Sequence, residues 1–226
     1  MGNDSYPIEI EIDDTLTDSF KVVASLVPIF GSPVIELINM LVTPKLQQRR
    51  DSWFQELGER VKKLEEEGKI NYEELQKDDV FIDIVIKATE VALKTHQNEK
   101  LIALRNALLN TALNTSSIDL SLKQIFINYI DIFTIWHIKL LILFNNPKIY
   151  EQQFEHIYTS SLVEIIEGVY PELKGKDYLY KSIFKDLYTK DLINTDSVST
   201  MMTKEGILSR RTTNIGFQFL QFIEEE

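Results

Sequence analysis

The chain has 226 residues, 44% hydrophobic and 26% charged, enough apolar material for a buried core in one or two domains. It has no cysteine, which excludes disulfide frameworks, thiolate-ligated zinc, iron–sulfur clusters and cysteine nucleophiles. Its 35 acidic against 24 basic residues give a net charge of −11, which argues against broad electrostatic capture of nucleic acid or anionic lipid, and only 8 Gly and 6 Pro point to a mainly α chain.

The opening Met1-Gly2-Asn3-Asp4-Ser5 lacks a basic region followed by an apolar run, and Tyr6 stands where a myristoylation pattern wants Ser or Thr, so the expected location is cytoplasmic. Ile8, Ile10 and Ile12 alternate with acidic residues as in a short half-buried strand. Residues 22–42 carry a single charge, Glu36, and have the length of a membrane span, but Pro28, Gly31 and Pro33 interrupt them. Two short buried helices fit better, the second opening at Pro33 with Ser32 as N-cap. The alternative is a helical hairpin that enters lipid, and Leu26, Ile29, Phe30, Ile35 and Leu37 are the candidate membrane or partner surface.

After Thr43-Pro44, Leu46, Trp53, Phe54, Leu57, Val61 and Leu64 keep helical spacing, with Glu59 and Lys63 as an i,i+4 pair and Gly68 as the stop. Asn71-Tyr72-Glu73-Glu74 reads as a capping box. Asp78 caps a core helix with Ile84, Val85, Ala88, Val91 and Ala92 on its apolar face. A further helix starts near Asn98 and buries Leu104, Ala107 and Leu108, with Arg105 and Asn106 on flanking faces. The polar run around 114–118 then reads as a linker between a helical domain, 1–114, and a second domain, 119–226.

Residues 118–144 are expected to form one buried helix, and Ser161-Leu162-Val163-Glu164 a capping box for a short one. A longer helix over 177–192 turns Leu179, Ile183, Leu187 and Leu192 inward and leaves Lys181, Ser182, Lys185 and Thr189 outward. Residues 197–203 and 207–213, around Lys204-Glu205-Gly206, suit a small β-hairpin, and Asn214 suits the cap of a last helix. The order helix, short helix, longer helix ending Asp191-Leu192-Ile193, hairpin, then Thr212-Thr213-Asn214-Ile215-Gly216-Phe217-Gln218-Phe219-Leu220 resembles the winged helix-turn-helix family over about 120–223. The chain as a whole resembles uncharacterised bacterial proteins with an N-terminal helical region. The expected fold is therefore mainly α: an N-terminal helical bundle and a C-terminal winged-helix-like domain with a small β-hairpin.

The resemblance implies that the third helix and the hairpin make the contacts, and the candidates are Lys181, Ser182, Lys185, Thr189, Lys190, Lys204, Arg210 and Arg211. Acidic residues outnumber basic ones over 151–226, although lysines outnumber the one aspartate over 181–190. Gly-rich phosphate loops, HExxH and GxSxG are absent, and His96, His137 and His156 are far apart in sequence, His137 fitting a satisfied core histidine. Acidic pairs such as Asp78-Asp79 complement helix dipoles rather than hold a metal. The expectation is a non-enzymatic, regulatory protein that works through macromolecular association, or alternatively a membrane-active effector using 22–42. A protein partner or a second copy comes first, then DNA, then a membrane; no cofactor and no small-molecule substrate is implied.

Overall fold

The computed structural model describes residues 33–113 and 118–225, and of residues 33–43 the backbone only. The N-terminal strand and the first half of the apolar hairpin, with Leu26, Ile29 and Phe30, lie outside the described residues. So do the side chains of Ile35 and Leu37, and most of the 114–118 linker. The chain divides into two units, residues 1–48 and 49–226. Of the first, the described part is helical backbone from Pro33 onward.

Helix α1 (Pro33–Glu66) opens at the predicted proline but runs on through Pro44, where a break between two helices was predicted. A proline inside a helix removes one hydrogen-bond donor and strains the preceding turn, yet does not forbid continuation. The helix stops where Gly68 takes a φ of +68°, its N–H donating to Glu65 O (2.8 Å) while the Lys69 N–H reaches Leu64 O (2.9 Å). Lys63 pairs with Glu67 at 3.9 Å, rather than with the predicted Glu59. Asn71 caps α2 (Tyr72–Leu75), its Oδ1 accepting from the Glu73 N–H at 2.8 Å, and Asp78 caps α3 (Asp79–Lys94), accepting from Val80 and Phe81 at 2.9 and 3.1 Å. Across the buried face of α3, the Trp53 indole N–H donates to Thr89 Oγ1 at 3.1 Å and ties α1 to it.

Helix α4 (Asn98–Ala112) is enclosed nearly all round, with every residue from Ala103 to Leu108 buried. Arg105 and Asn106, predicted on flanking faces, are therefore inside. Arg105 pairs with Glu56, and Asn106 and Asn110 point at the last turn of the C-terminal helix. Beyond residues 114–117, α5 (Leu120–Ile132) and α6 (Ile135–Asn145) meet at 119° in place of the single helix predicted over 118–144. The bend falls at Phe133, which is extended (ψ 145°), so that Thr134 starts a new helix. Among the described residues no single helix is long and apolar enough to cross a membrane.

A 3-10 helix (Pro147–Phe154) leads to strand β1 (Thr159–Ser160), then α7 (Leu162–Val169) and α8 (Asp177–Thr189). Ser161 sits at the α7 N-cap without a side-chain hydrogen bond, so the predicted capping box does not form. The protein is mainly α with a small two-stranded antiparallel sheet, an arrangement compatible with a winged-helix-like fold. The strands pair differently from the prediction: β2 (Met202–Thr203) pairs with β1, Thr159 opposite Thr203 and Ser160 opposite Met202. The predicted turn Lys204-Glu205-Gly206 instead coils into α9 (Lys204–Ile207), because Thr203 Oγ1 accepts the Gly206 N–H (3.2 Å) as an N-cap. Thr212 bridges to Ile193 instead of returning along β2.

The last helix, α10 (Asn214–Ile223), is capped by Thr213, one residue before the predicted Asn214; Thr213 Oγ1 accepts from Gly216 N (3.0 Å) and donates to Asp191 O (2.5 Å). Phe219 and Phe222 of α10 meet Phe126 of α5 at ring separations of 5.3 and 5.7 Å. Phe144 of α6 meets Phe184 of α8 edge-on at 5.1 Å. Such tilted and edge contacts suit the ring quadrupoles. A Cβ on Gly216 would collide with the Leu192 carbonyl oxygen, whereas one on Gly58, inside α1, would meet nothing among the described residues. Gly216→Ala should therefore cost about 1–3 kcal/mol, while Gly58→Ala should stabilise by roughly 0.5–1 kcal/mol; urea unfolding of both variants measures the pair.

Candidate functional site

Helix α8 anchors itself with Tyr180, Ile183, Phe184 and Leu187, all buried, and leaves Tyr178, Lys181, Ser182, Lys185, Tyr188 and Thr189 exposed over three turns. The outward set predicted for this helix is therefore outward. It is less cationic than its sequence suggests. Lys181 Nζ lies 2.7 Å from Asp177 Oδ2, Thr189 donates its hydroxyl back to Lys185 O at 2.7 Å, and Asp186 stands beside Lys185. Tyr180 is fixed from below: its hydroxyl donates to Glu167 Oε1 at 3.1 Å, and burial and that carboxylate push its pKa up to about 12.

The remaining candidates go elsewhere. Lys190 turns in over the rings of Phe133 (5.8 Å) and Tyr129 (6.0 Å). Arg211 is a structural residue: its guanidinium donates to Gly206 O (2.5 Å), its backbone N–H to Phe144 O (2.8 Å), and its Nε is buried without a partner among the described residues. Burial lowers its pKa. Lys204 and Arg210 line a cleft of about 480 Å³ at the end of α6, together with Asn145, Lys148, Glu151 and Leu208. The eight predicted residues thus divide into an α8 face (Lys181, Ser182, Lys185, Thr189), a cleft (Lys204, Arg210) and two residues engaged in packing (Lys190, Arg211).

One constellation escaped the sequence reading. The Thr134 N–H donates to His137 Nδ1 at 3.1 Å, with Thr134 Oγ1 2.9 Å from the same nitrogen, so the imidazole closes the first turn of α6. The ring stacks on Phe133 (4.7 Å, 7°) and presents Nε2 to Asp186 Oδ2 of α8 at 3.4 Å. An accepting Nδ1 requires the neutral ring to carry its proton on Nε2, where it points at Asp186. His137 is the satisfied core histidine expected of it, and it also defines the α5–α6 corner. The only cue in the sequence was a polar residue three positions after Thr134, within an otherwise apolar run. Lys100 closes the same region from α4, buried, with Nζ donating to Asp131 O at 2.8 Å at the end of α5; burial lowers its pKa. Among the described residues no cluster of His, Asp and Glu has the geometry to hold a metal ion.

Comparisons with protein families, with curated proteins and with solved structures find no match to this chain.

Burial lowers the His137 pKa from 6.5, outweighing the hydrogen bond to Asp186 that raises it, and the nearby Lys190 and Lys100 lower it further. The folded protein therefore binds this proton more weakly than the unfolded chain does. The stability from neutral His137 should be complete above its ordinary value of 6.5 and fall as pH drops below it. His137→Gln keeps an acceptor at the capping position and should remove this slope between pH 7 and 5; denaturant unfolding of the two proteins across that range measures it.

Proposed function

We propose that this is a non-enzymatic, regulatory protein that acts by macromolecular association, and that the exposed face of α8 in its winged-helix-like C-terminal module is the contact surface. The carrying observation is the composition of that face: two exposed tyrosines, Tyr178 and Tyr188, set among Lys181, Ser182, Lys185 and Thr189 on a helix whose other side is fully buried. Tyrosine is enriched at protein interfaces because it offers a large contact area and one polar tip at low entropic cost. Charge favours a protein partner, or a second copy of the chain, over a duplex. Lys181 is paired with Asp177 and the whole chain is strongly acidic, so the face lacks the positive field that captures phosphodiester backbones.

Light scattering over a range of concentrations, with wild type and with Tyr178→Ala/Tyr188→Ala, tests self-association. A mass that rises with concentration in the wild type only supports a second copy. The companion measurement is titration of a fluorescent duplex at low salt, with wild type and Lys181→Glu/Lys185→Glu. The expected result is no salt-sensitive binding. Binding that steepens as salt is lowered, and is lost in the double variant, would sink the protein-partner reading in favour of DNA, with each lysine contact contributing about 0.9 to the logarithmic salt slope.

A further inference from the structure

We infer that the cleft at the end of α6 is a binding site for a small phosphate monoester. Its volume, about 480 Å³, falls within the roughly 300–1,000 Å³ of small-molecule pockets. The site is independent of the α8 face and shares none of its residues.

Five charged side chains line the cleft, Lys148, Lys204 and Arg210 against Glu151 and Glu205. Glu151 pairs with Lys204 at 3.3 Å. Glu205 is held below the usual carboxylate range by backbone N–H donation and by the Thr203 hydroxyl. Lys148 and Arg210 have no acidic partner among the described residues, and with Glu205 ionised the lining carries three cations against two anions, one positive charge in excess. Arg210 is also oriented in advance. Its Nε donates to Thr212 Oγ1 at 2.5 Å, the Thr212 hydroxyl donates to Asn145 Oδ1 at 2.8 Å, and the guanidinium lies over the Phe217 ring at 4.6 Å. Among the described residues, Nε and one face of the guanidinium are occupied, which leaves both terminal nitrogens for a two-pronged grip on an oxyanion.

Two cations outside any ion pair can share one oxyanion, and a phosphate monoester, with close to two negative charges at neutral pH, gains more from them than a singly charged carboxylate or phosphodiester. Leu208 and Pro147 give the walls an apolar portion against which the organic body of the ligand can rest. Fixing Arg210 beforehand removes much of the ordering cost that a free surface arginine would meet on binding.

Isothermal titration calorimetry on the full chain, with glycerol 3-phosphate, inorganic phosphate, dimethyl phosphate and glycerol, tests the assignment. Saturable one-to-one binding is expected for the two species that carry close to two negative charges, with dimethyl phosphate at least about tenfold weaker and glycerol silent. Lys148→Gln, at an exposed and unpaired position, should weaken glycerol 3-phosphate about tenfold with an unchanged melting temperature. Arg210→Lys keeps the charge, removes the fork and should weaken it comparably. Two outcomes overturn the inference: no saturable heat from either phosphate up to about 10 mM, or binding that survives both substitutions undiminished. Lys181→Glu/Lys185→Glu should leave these heats unaltered, so the failure of this site and the failure of the α8 face as a contact surface are told apart.

Discussion

The end of α10 is held by two asparagines on α4. A helix leaves its last carbonyls without donors, and in an apolar setting that deficit must be met by something other than water. Asn106 Nδ2 donates to Ile223 O at 2.9 Å, and the Asn110 amide lies 3.0 Å from the carbonyls of Gln221, Phe222 and Glu224. Both amides sit on the most deeply enclosed helix, and neither has water to fall back on. The contact therefore does more than satisfy carbonyls. It fixes where α10 lies, and through α10 the aromatic ring stack on α5 and the close passage of Gly216 over Leu192.

The second constraint is the corner at Phe133-Thr134. Bending the chain there lets α6 pass under α8, and the side chain that closes the corner, His137, also touches Asp186 on α8. The exposed face of α8 is thus oriented from beneath by a polar contact and by Phe144 against Phe184, while its exit is set by Asp191, whose φ of +55° lets the Leu192 N–H return to Leu187 O at 2.9 Å. The α6 end that supports this packing also forms one wall of the cleft, so the two surfaces are set by one helix without sharing a residue.

Much of this was legible in the residues. Caps at Asn71 and Asp78, the glycine stop after α1, the start of α4 at Asn98 and the inward and outward faces of α8 follow from local rules, because a helix exposes its spacing and its termini within a few positions. What escaped were decisions made by distant chain. Nothing near Met202-Thr203 announces that its partner is Thr159-Ser160 rather than the following segment, and the capping preference of Thr203 outcompeted the turn expected of Gly206. An apolar run such as 118–144 carries no periodic mark of a bend when both arms are buried. Asn106 read as a flanking residue because spacing alone cannot show that a polar side chain has a carbonyl waiting for it inside the core. The cleft, assembled from α6, the 3-10 helix and α9, has no contiguous signature at all.

The separation of those asparagines from their acceptors has a consequence for biosynthesis. Asn106 and Ile223 are 117 positions apart, and Asn110 and Gln221 are 111 apart. At a ribosomal speed of about 5–20 residues per second, α4 emerges roughly 5–20 s before its mate exists. During that interval its polar edge must stay hydrated, so the helix cannot settle among its neighbours as it does at the end. The nascent chain is then exposed to chaperones and proteases until translation of α10 releases it from that wait.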